Sequence, residues 1–314
     1  MKLCVAGAGA IGTRHLEALA SIEGVEVASL VDPGAKARAV AARFGIPHCT
    51  AELADGLAQP GVVGAILATP TPIHASQAAE CLRAGKHVAV EIPMADTLAD
   101  AEALLALQRQ TGLVGMAAHT RRFNPSHQWV HSRIAAGELT LQHLDVQTYF
   151  MRRTNTNALG EPREWTDHLL WHHACHTVDL FGYQAGEPIE QVNAMAGPAH
   201  PVLGIAMDMS LQMRTASGAL CTLALSFNND GPFGTVFRYI CDRGTFVARY
   251  DDLFDGHDKR IDVSHVAPST NGIELQNREF VAAIREEREP NASFAQVLPA
   301  MHVLARTEAM LSQG

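Results

Sequence analysis

The chain has 314 residues, 47% of them hydrophobic and 18% charged, with a formal net charge of −9 at pH 7. This length and composition are typical of a folded globular protein with two domains, and the acidic balance argues against nucleic acid as a partner. The six cysteines show no CxxC spacing, which favours a reducing cytoplasm over a disulfide framework. Met1 leads almost directly into a short apolar run, and no later stretch approaches about 18 uninterrupted apolar residues, so we expect neither export nor a membrane span.

The first predicted elements are a strand from Leu3 to Ala6, the glycine-rich turn GAGAIG and a helix from Thr13 to Ala20. In this context Gly7 permits the turn, Gly9 lets backbone amides approach a pyrophosphate, and Gly12 lets the helix pack closely on the strand. The turn therefore predicts a dinucleotide site that is formed by Gly7, Gly9, Ala10, Ile11 and Gly12.

A second strand is predicted from Val25 to Val31, and Asp32 follows it, twenty residues after Gly12. A carboxylate at this point accepts hydrogen bonds from both ribose hydroxyls and repels a 2′-phosphate, which favours NAD over NADP. Lys36 and Arg38 follow closely and leave a contact with such a phosphate open as the alternative.

Strands and helices continue to alternate up to residue 119. The further strands are predicted at 62–68, 86–90 and 113–117, and the helices at 74–84 and 98–111. This alternation indicates a Rossmann domain, 1–119, with a doubly wound parallel sheet. Ligands of such sheets bind beyond the carboxyl ends of the strands. His119 lies at such a strand end and is a candidate substrate contact. The other residues at these strand ends are predicted to belong to the cofactor site: Thr69, Pro70, Thr71, His74, Glu91, Ile92 and Pro93.

Residues 120–314 are predicted to form a second, α+β domain. Segments of alternating hydrophobicity near 145–152, 205–214, 220–227 and 236–241 predict an open, mostly antiparallel sheet. The last segment, from Phe294 to Leu311, has a helical pattern. The whole chain is therefore predicted to be an α/β protein with a parallel sheet in its first domain and an antiparallel one in its second.

The segment WTDHLLWHHACHTVDLF, from Trp165 to Phe181, combines four histidines with enough apolar residues for a buried helix. On such a helix His168, His172 and His176 fall one turn apart, and Asp179 continues the same stripe. Histidines with this spacing suit a metal site, a packed polar face or acid–base chemistry. Because neither an HExxH spacing nor a cysteine pair accompanies them, we predict no metal site.

The strings GAGAIG, ATPTPIH and GKHVAVEIP, together with the histidine segment, resemble the glucose-fructose oxidoreductase/inositol dehydrogenase (Gfo/Idh/MocA) family of NAD(P)-dependent oxidoreductases. The resemblance covers essentially the whole chain. Members typically carry a lysine at the position of Ile92 and an aspartate at that of His172, four residues before the catalytic histidine, here His176. Both departures argue against an ordinary polyol dehydrogenase.

Further strings, HTRRFNPSHQW, DVQTYFMRRTN, LGIAMDMS and SFNNDGP, resemble those family members that oxidise a dicarboxylated semialdehyde from aromatic-compound catabolism. The resemblance implies dehydrogenation of a cyclic hemiacetal to a pyrone dicarboxylate, with this small dicarboxylate as the substrate and NAD(P) as the cofactor. Those members favour NADP, whereas Asp32 favours NAD.

The same resemblance implies that His176 is the general base. A hemiacetal hydroxyl is more acidic than a sugar alcohol, so one neutral imidazole contributes about 10²–10⁴-fold without help from a lysine. Asp179 would orient the His176 ring or, alternatively, stabilise a packed helix face, and His172 would make a second polar contact.

Guanidinium groups match carboxylates bidentately, and alternation along an extended chain should send one arginine of an adjacent pair inward. The candidates for binding the substrate carboxylates are Arg121 with Arg122 and Arg152 with Arg153. His173 and Asn228 are lesser candidates for polar contacts, and Trp165 either stacks on a planar substrate or fills the core.

The family also implies a homodimer or homotetramer that is built through the outer face of the second sheet. Met207, Met209, Leu211 and Met213 alternate along one predicted strand and suit either that interface or a face covered by a helix. The alternative functions are a dehydrogenase of another carboxylated sugar or cyclic acid, a non-catalytic nucleotide sensor and a zinc-dependent hydrolase.

Overall fold

The computed structural model describes residues 1–156, 160, 162–163 and 165–312. Within it the chain forms two units, of which unit 1 comprises residues 1–119 and 273–298, and unit 2 comprises 120–272 and the described residues from 299 onwards. The sequence prediction assigned all of 120–314 to the second domain. Residues 273–298 lie in unit 1 because Asn277, for example, hydrogen-bonds to the buried His15 over a distance of 2.9 Å, a long-range return of the chain that leaves no local signal.

Unit 1 contains a parallel sheet with the predicted doubly wound pattern. Its strands are β1 (Lys2–Ala6), β2 (Glu26–Val31), β3 (His48–Thr50), β4 (Val62–Leu67), β5 (His87–Val90) and β6 (Gly115–Ala117), in the spatial order β3-β2-β1-β4-β5-β6. The helices that connect them are α1 (Ala10–Leu19), α2 (Ala37–Phe44), α3 (Leu53–Leu57), α4 (His74–Arg83) and α5 (Leu98–Thr111). Strands β1 and β4 are apolar almost throughout because helices of a doubly wound sheet bury both of its faces. The Rossmann prediction is confirmed.

Unit 2 contains the predicted mostly antiparallel sheet. Its strands are β7 (Leu141–Tyr149), β8 (Ile189–Ala196), β9 (Asp208–Thr215), β10 (Leu220–Ser226), β11 (Gly234–Cys241), β12 (Gly244–Arg249), β13 (Asp252–Asp255) and β14 (Arg260–Ile261). They lie in the order β14-β13-β12-β11-β7-β10-β9-β8, and only β10 with β7 pairs in parallel. The remaining helices of the described chain are α6 (Pro125–Ala135), α7 (Cys175–Ala185), α8 (Gly272–Arg285) and α9 (Phe294–Leu311).

One face of this sheet is covered and the other is exposed. Along β9 buried and exposed residues alternate strictly, as a strand between core and solvent requires. Met207, Met209, Leu211 and Met213 are all on the buried side, at 9% exposure or less. The π-helical turn Leu169–Ala174 packs on β9 and β10, and α7 packs on β7. The face that carries the methionines is therefore covered by helices, the second of the two alternatives that the sequence left open for it.

The histidine segment is not the single helix that the sequence predicted. The chain is extended at His168 (φ −114°, ψ 163°), forms the π-helical turn Leu169–Ala174 and becomes α-helical only at Cys175. A π turn holds an extra residue, so it changes the angular spacing of side chains. The regular stripe from His168 to Asp179 is therefore interrupted, and Trp165 lies before the helix.

Candidate functional site

The glycine turn of unit 1 leaves backbone amides open to a ligand. Gly9 caps α1 in an extended conformation without a side-chain cap, and the first turn of α1 carries no acidic residue. The amides of Ala10, Ile11 and Gly12 lie in the first turn of α1, and amides in the first turn of a helix have no acceptor within the helix. A Cβ at Gly12 would overlap the carbonyl oxygen of Gly7, whereas nothing lies within 4 Å of a Cβ at Gly9. The turn thus fits the pyrophosphate of a nicotinamide dinucleotide.

Asp32 lies directly after β2, and backbone amides hold its carboxylate in place. The Ala8 amide donates to Oδ2 over 2.7 Å, and the Gly34 amide donates to Oδ1 over 2.6 Å. An ionised carboxylate accepts about four hydrogen bonds. Asp32 is therefore oriented by the glycine turn itself and retains capacity for ribose hydroxyls.

The loops after β4 and β5 are joined by His74, which is 1% exposed. Its Nδ1 lies 2.9 Å from the carbonyl oxygen of Pro93, and its Nε2 lies 2.8 Å from that of Thr69. Thr71 is also buried, while Pro70 precedes it in the same loop. Both ring nitrogens thus face loop carbonyls, so His74 shapes these two loops, and its contact with the nucleotide stays a prediction.

Glu91 belongs to a buried network that the sequence analysis missed. His15 of α1 has no exposed surface, and its Nε2 lies 2.9 Å from Glu91 Oε1 while its Nδ1 lies 2.9 Å from Asn277 Oδ1. Glu91 Oε2 accepts from the amide of Ile92 over 3.3 Å. The sequence did contain a signal for this network: His15 falls on the apolar stripe of α1, three residues after Gly12, and a buried polar side chain needs a hydrogen-bond partner.

His176 lies on the first turn of α7 and is half-buried, whereas His172 lies on the π-helical turn. The His172 ring is stacked on Trp165 at 5.6 Å and meets His168 edge-on at 5.2 Å. Burial, reinforced by the neighbouring His168, lowers the pKa of His172 to about 3. His172 is therefore neutral at physiological pH and is unsuited to act as a base there.

The tautomer of His172 follows from its hydrogen bonds. The backbone amide of His168 donates to Nδ1 over 3.1 Å, so the proton of the neutral ring resides on Nε2. That buried Nε2 meets no hydrogen-bond acceptor among the residues that the structure describes. The aspartate that the family usually carries would accept at this position, whereas His172 offers a donor.

Arg122 pairs with Asp179. Its Nε donates to Oδ2 over 2.8 Å and its Nη2 to Oδ1 over 2.6 Å, with the two side chains 5% and 1% exposed. Burial alone would lower the pKa of Arg122, but the adjacent Asp179 carboxylate outweighs burial and raises it. Arg122, which was predicted to bind a substrate carboxylate, thus pairs with a carboxylate of the protein itself. That carboxylate belongs to Asp179, which was predicted to orient His176.

Arg121 is enclosed by aromatic rings instead of pointing to solvent. Its guanidinium lies 4.9 Å from the ring centre of Tyr250 and 5.7 Å from that of Phe237, and burial lowers its pKa. Both arginines turn inward because Thr120–Arg122 forms a 3₁₀ turn. The strand alternation used in the prediction does not apply to such a turn.

The Asp167 carboxylate contacts three basic side chains, and Asp167 with Arg152, Arg163 and His173 is called the Asp167 group. Arg152 donates to the carboxylate bidentately, Arg163 Nη2 donates over 2.6 Å, and His173 Nε2 lies 3.3 Å away. Burial would raise the pKa of Asp167, but hydrogen bonds from His173 and Arg152 hold it well below its usual range. Arg163 and Asp167 were not among the predicted site residues, although both lie close to Trp165 in the sequence.

The other predicted substrate contacts are distributed differently. Arg153 is exposed, as alternation predicted for one member of its pair, and its Nη1 donates to Asn228 Oδ1 over 3.1 Å. His119 is 2% exposed. Trp165 stacks on His172 and underlies Arg163 at 4.8 Å, so it joins the histidines to the Asp167 group.

Within the described part of the chain, no group of three or more His, Cys, Asp or Glu side chains is arranged to hold a metal ion. None of the helices described there has the length and hydropathy that a bilayer crossing requires.

Comparison with known proteins relates both units to oxidoreductases. Residues 1–119 match the family "Oxidoreductase family, NAD-binding Rossmann fold", and residues 125–267 match "Bacterial oxidoreductases, C-terminal". The chain is 60% identical over 314 residues to 4-carboxy-2-hydroxymuconate-6-semialdehyde dehydrogenase of Sphingobium sp. strain SYK-6, covering 100% of this chain and 99% of that protein. It is 26% identical over 260 residues to inositol 2-dehydrogenase of Mycolicibacterium smegmatis, covering 80% of this chain and 72% of that one.

A solved structure of levoglucosan dehydrogenase in complex with NADH and L-sorbose has the same fold. It matches with a TM-score of 0.86 at 19% sequence identity, over 100% of this chain and 97% of that one.

Proposed function

Because the chain belongs to the Gfo/Idh/MocA family of NAD(P)-dependent oxidoreductases, we propose that it oxidises 4-carboxy-2-hydroxymuconate-6-semialdehyde to 2-pyrone-4,6-dicarboxylate in the breakdown of protocatechuate and related aromatic acids. The observation that carries this proposal is the full-length likeness to the Sphingobium dehydrogenase. The basic groups of unit 2 support it, because the substrate brings two carboxylates.

The reaction suits a site without a family lysine. The enol hydroxyl of the semialdehyde adds to its own aldehyde and gives a cyclic hemiacetal. The hemiacetal carbon then loses a hydride and its hydroxyl loses a proton, which leaves the lactone carbonyl of the pyrone. A bound nicotinamide dinucleotide supplies the hydride acceptor. Since a hemiacetal hydroxyl is comparatively acidic, one positioned base is sufficient for the proton.

We assign that base to His176. It is half-buried at the start of α7, and an imidazole is a suitable base near neutral pH. His172 takes a different role, since its Nδ1 is occupied and its Nε2–H points to no described acceptor. In our proposal this neutral ring donates a hydrogen bond to a substrate oxygen, as neutral imidazoles do at other active sites.

The test of the reaction is nicotinamide reduction at about 340 nm with freshly generated semialdehyde, with NAD and NADP in parallel. We expect rapid pyrone formation by the wild-type protein and a fall in kcat of about 10²–10⁴-fold in His176→Asn, the contribution of a positioned general base. Nucleotide binding should be unaffected in that variant. No turnover by the wild-type protein despite bound nucleotide would overturn the proposed reaction, and full kcat in His176→Asn would remove this residue from it.

The nucleotide site has a matched pair of tests in the glycine turn. Gly9→Ala should leave the fold intact, because its φ of −72° is allowed for alanine and its Cβ meets nothing within 4 Å. The same methyl group should weaken nucleotide binding by about tenfold or more, since it occupies the approach of the pyrophosphate. Gly12→Ala should instead lower the thermal stability, because its Cβ overlaps the Gly7 carbonyl. Unchanged nucleotide affinity in Gly9→Ala would contradict the placement of the pyrophosphate.

NAD is the nucleotide that we propose for this chain, since Asp32 is held in place by two backbone amides and repels a 2′-phosphate. A ratio of kcat/KM that favours NADP would contradict this choice.

We further propose a cytoplasmic homodimer or homotetramer. The structure describes all six cysteines, and none of them forms a disulfide. The exposed face of the unit 2 sheet carries Met195 at 76% and Leu220 at 46% exposure. Sedimentation velocity measures the assembly, and a monomer at micromolar concentration would contradict it.

A further inference from the structure

The Asp167 group has more basic partners than its carboxylate neutralises. Two guanidiniums, Arg152 and Arg163, converge on the single Asp167 carboxylate, and His173 Nε2 lies beside it. The described residues of this group therefore carry one formal positive charge in excess when His173 is neutral. By contrast, Arg122 and Asp179 bring one guanidinium to one carboxylate in a bidentate ion pair.

The group also has donor capacity to spare. Arg163 uses Nη2 on Asp167, while its Nε is buried and meets no acceptor among the described residues. A guanidinium has five N–H donors, and a buried donor left without an acceptor costs free energy. An incoming carboxylate is the acceptor that a guanidinium matches best, because two parallel N–H donors meet its two oxygens.

The position of Arg163 is built rather than accidental. Its backbone amide donates to the Asn155 carbonyl over 2.9 Å, and the Asn155 side-chain amide donates to the Arg163 carbonyl over 2.9 Å. The guanidinium lies over Trp165, and Trp165 stacks on His172. The stack therefore connects the basic group to the histidine whose Nε2–H we assign to the substrate.

The side chains of the group are accessible to a small molecule. Their exposed fractions are 17% for Arg152, 14% for Arg163 and 19% for His173. Partial exposure permits contact with a ligand, while the reduced dielectric strengthens the attraction of unlike charges compared with open solvent.

We propose that Arg163, with Arg152 beside it and Asp167 holding both guanidiniums in place, binds one carboxylate of the substrate and so selects carboxylated substrates. This inference rests on the proposed function for the identity of the dicarboxylate. The inference adds Arg163, which belongs to neither of the two adjacent arginine pairs, to the residues that recognise the carboxylate. Asp167 is a positioning residue in this arrangement, because it acts through the guanidiniums.

The test uses the protein saturated with NAD and measures binding of 2-pyrone-4,6-dicarboxylate, of the two corresponding monocarboxylates and of 2-pyrone itself by titration calorimetry. In Arg163→Gln we expect the dicarboxylate and one of the two monocarboxylates to bind about 10–100-fold more weakly, the effect of losing a hydrogen-bonded charge. The affinity for 2-pyrone should not change. Arg163→Lys should fall between the wild type and Arg163→Gln, because lysine keeps the charge but not the bidentate geometry.

Arg238→Gln is the matched control. Arg238 also pairs with an aspartate, Asp145 at 3.2 Å, but its side chain is 48% exposed on β11 and lies outside the group. This variant should bind all four ligands as the wild type does. Thermal unfolding and NAD affinity establish that Arg163→Gln and Arg163→Lys are folded.

The outcomes separate the two proposals. If the wild-type protein oxidises the semialdehyde but Arg163→Gln binds the dicarboxylate with unchanged affinity, the inference is overturned and the proposed reaction stands. Equal weakening for 2-pyrone would also overturn it, because the loss would then not concern a carboxylate. If the wild type fails to oxidise the semialdehyde while Arg163→Gln still weakens only carboxylated ligands, the carboxylate site stands and the proposed reaction falls.

Discussion

Arg122 and Arg152 each donate two hydrogen bonds to an aspartate of unit 2, yet the two sites differ in accessibility. The side chains of Arg122 and Asp179 are 5% and 1% exposed and form a bidentate ion pair. Arg152 and Asp167 are 17% and 11% exposed, and the same carboxylate also receives Arg163. A buried ion pair joins secondary-structure elements, whereas an accessible group with surplus donors is suited to bind a ligand.

The difference shows why residue type alone is a weak guide to function. Arg122 and Arg152 both belong to adjacent arginine pairs, and the sequence supports the same expectation for each. The carboxylate that a guanidinium finds within its own fold decides whether it remains available for an anion from solution.

The largest effect on the free energy of unfolding is expected at Arg122. Arg122→Ala should lower the free energy of unfolding by about 3–5 kcal/mol, because it leaves the buried Asp179 carboxylate without its partner. Urea denaturation followed by circular dichroism measures this loss. The double variant Arg122→Met with Asp179→Leu should recover much of it, since an apolar pair leaves no buried charge. A single variant as stable as the wild type would refute the role of this pair in holding the fold.

A smaller effect on stability is expected at Arg152. Arg152→Ala should cost about 1.5–3 kcal/mol at most, the range for hydrogen bonds to charged groups, because Arg163 and His173 remain beside Asp167. Its KM for the semialdehyde should rise while kcat changes little, as expected for a group that binds substrate and transition state equally. Initial-rate kinetics and the same denaturation experiment separate these effects. A stability loss equal to that of Arg122→Ala would remove the distinction between the two sites.

The third prediction concerns the pH dependence of stability through His172. Its folded-state pKa is about 3, below the ordinary 6.5, so between these values the unfolded chain binds a proton that the native protein does not. Stability should therefore fall as pH falls through this window, by up to about 1.4 kcal/mol per pH unit from this group. The contribution is fully present above about pH 6.5.

His172→Phe should reduce the slope of stability against pH, because phenylalanine does not titrate, while other histidines with lowered pKa values, such as His127 and His131, keep their contributions. Urea denaturation of both proteins between about pH 4.5 and 6.5 measures the two slopes; this range avoids most of the titration of Asp167, whose native pKa is also depressed. Identical slopes would mean that His172 is not the buried neutral group that the geometry indicates.

Much of the fold follows from the amino-acid sequence by itself. The glycine turn, the acidic residue after β2 and the alternation of strand and helix patterns predicted the Rossmann unit, and period-2 patterns predicted the antiparallel sheet. These features are local, since a turn needs glycine at given positions and a strand between core and solvent needs alternating side chains. The helix Phe294–Leu311 was predicted with the bounds that the structure has.

Only the tertiary structure decided which side chains meet. Asp179 lies 57 residues after Arg122 in the chain, and Asn277 lies 262 residues after His15, so no local pattern relates the partners. The π-helical turn before Cys175 likewise altered the stripe that an ideal helix predicts for the histidines. Hydrogen bonds and ion pairs form between groups that packing brings within about 3 Å, and packing depends on the whole chain, whereas periodicity and turn chemistry depend on a few neighbouring residues.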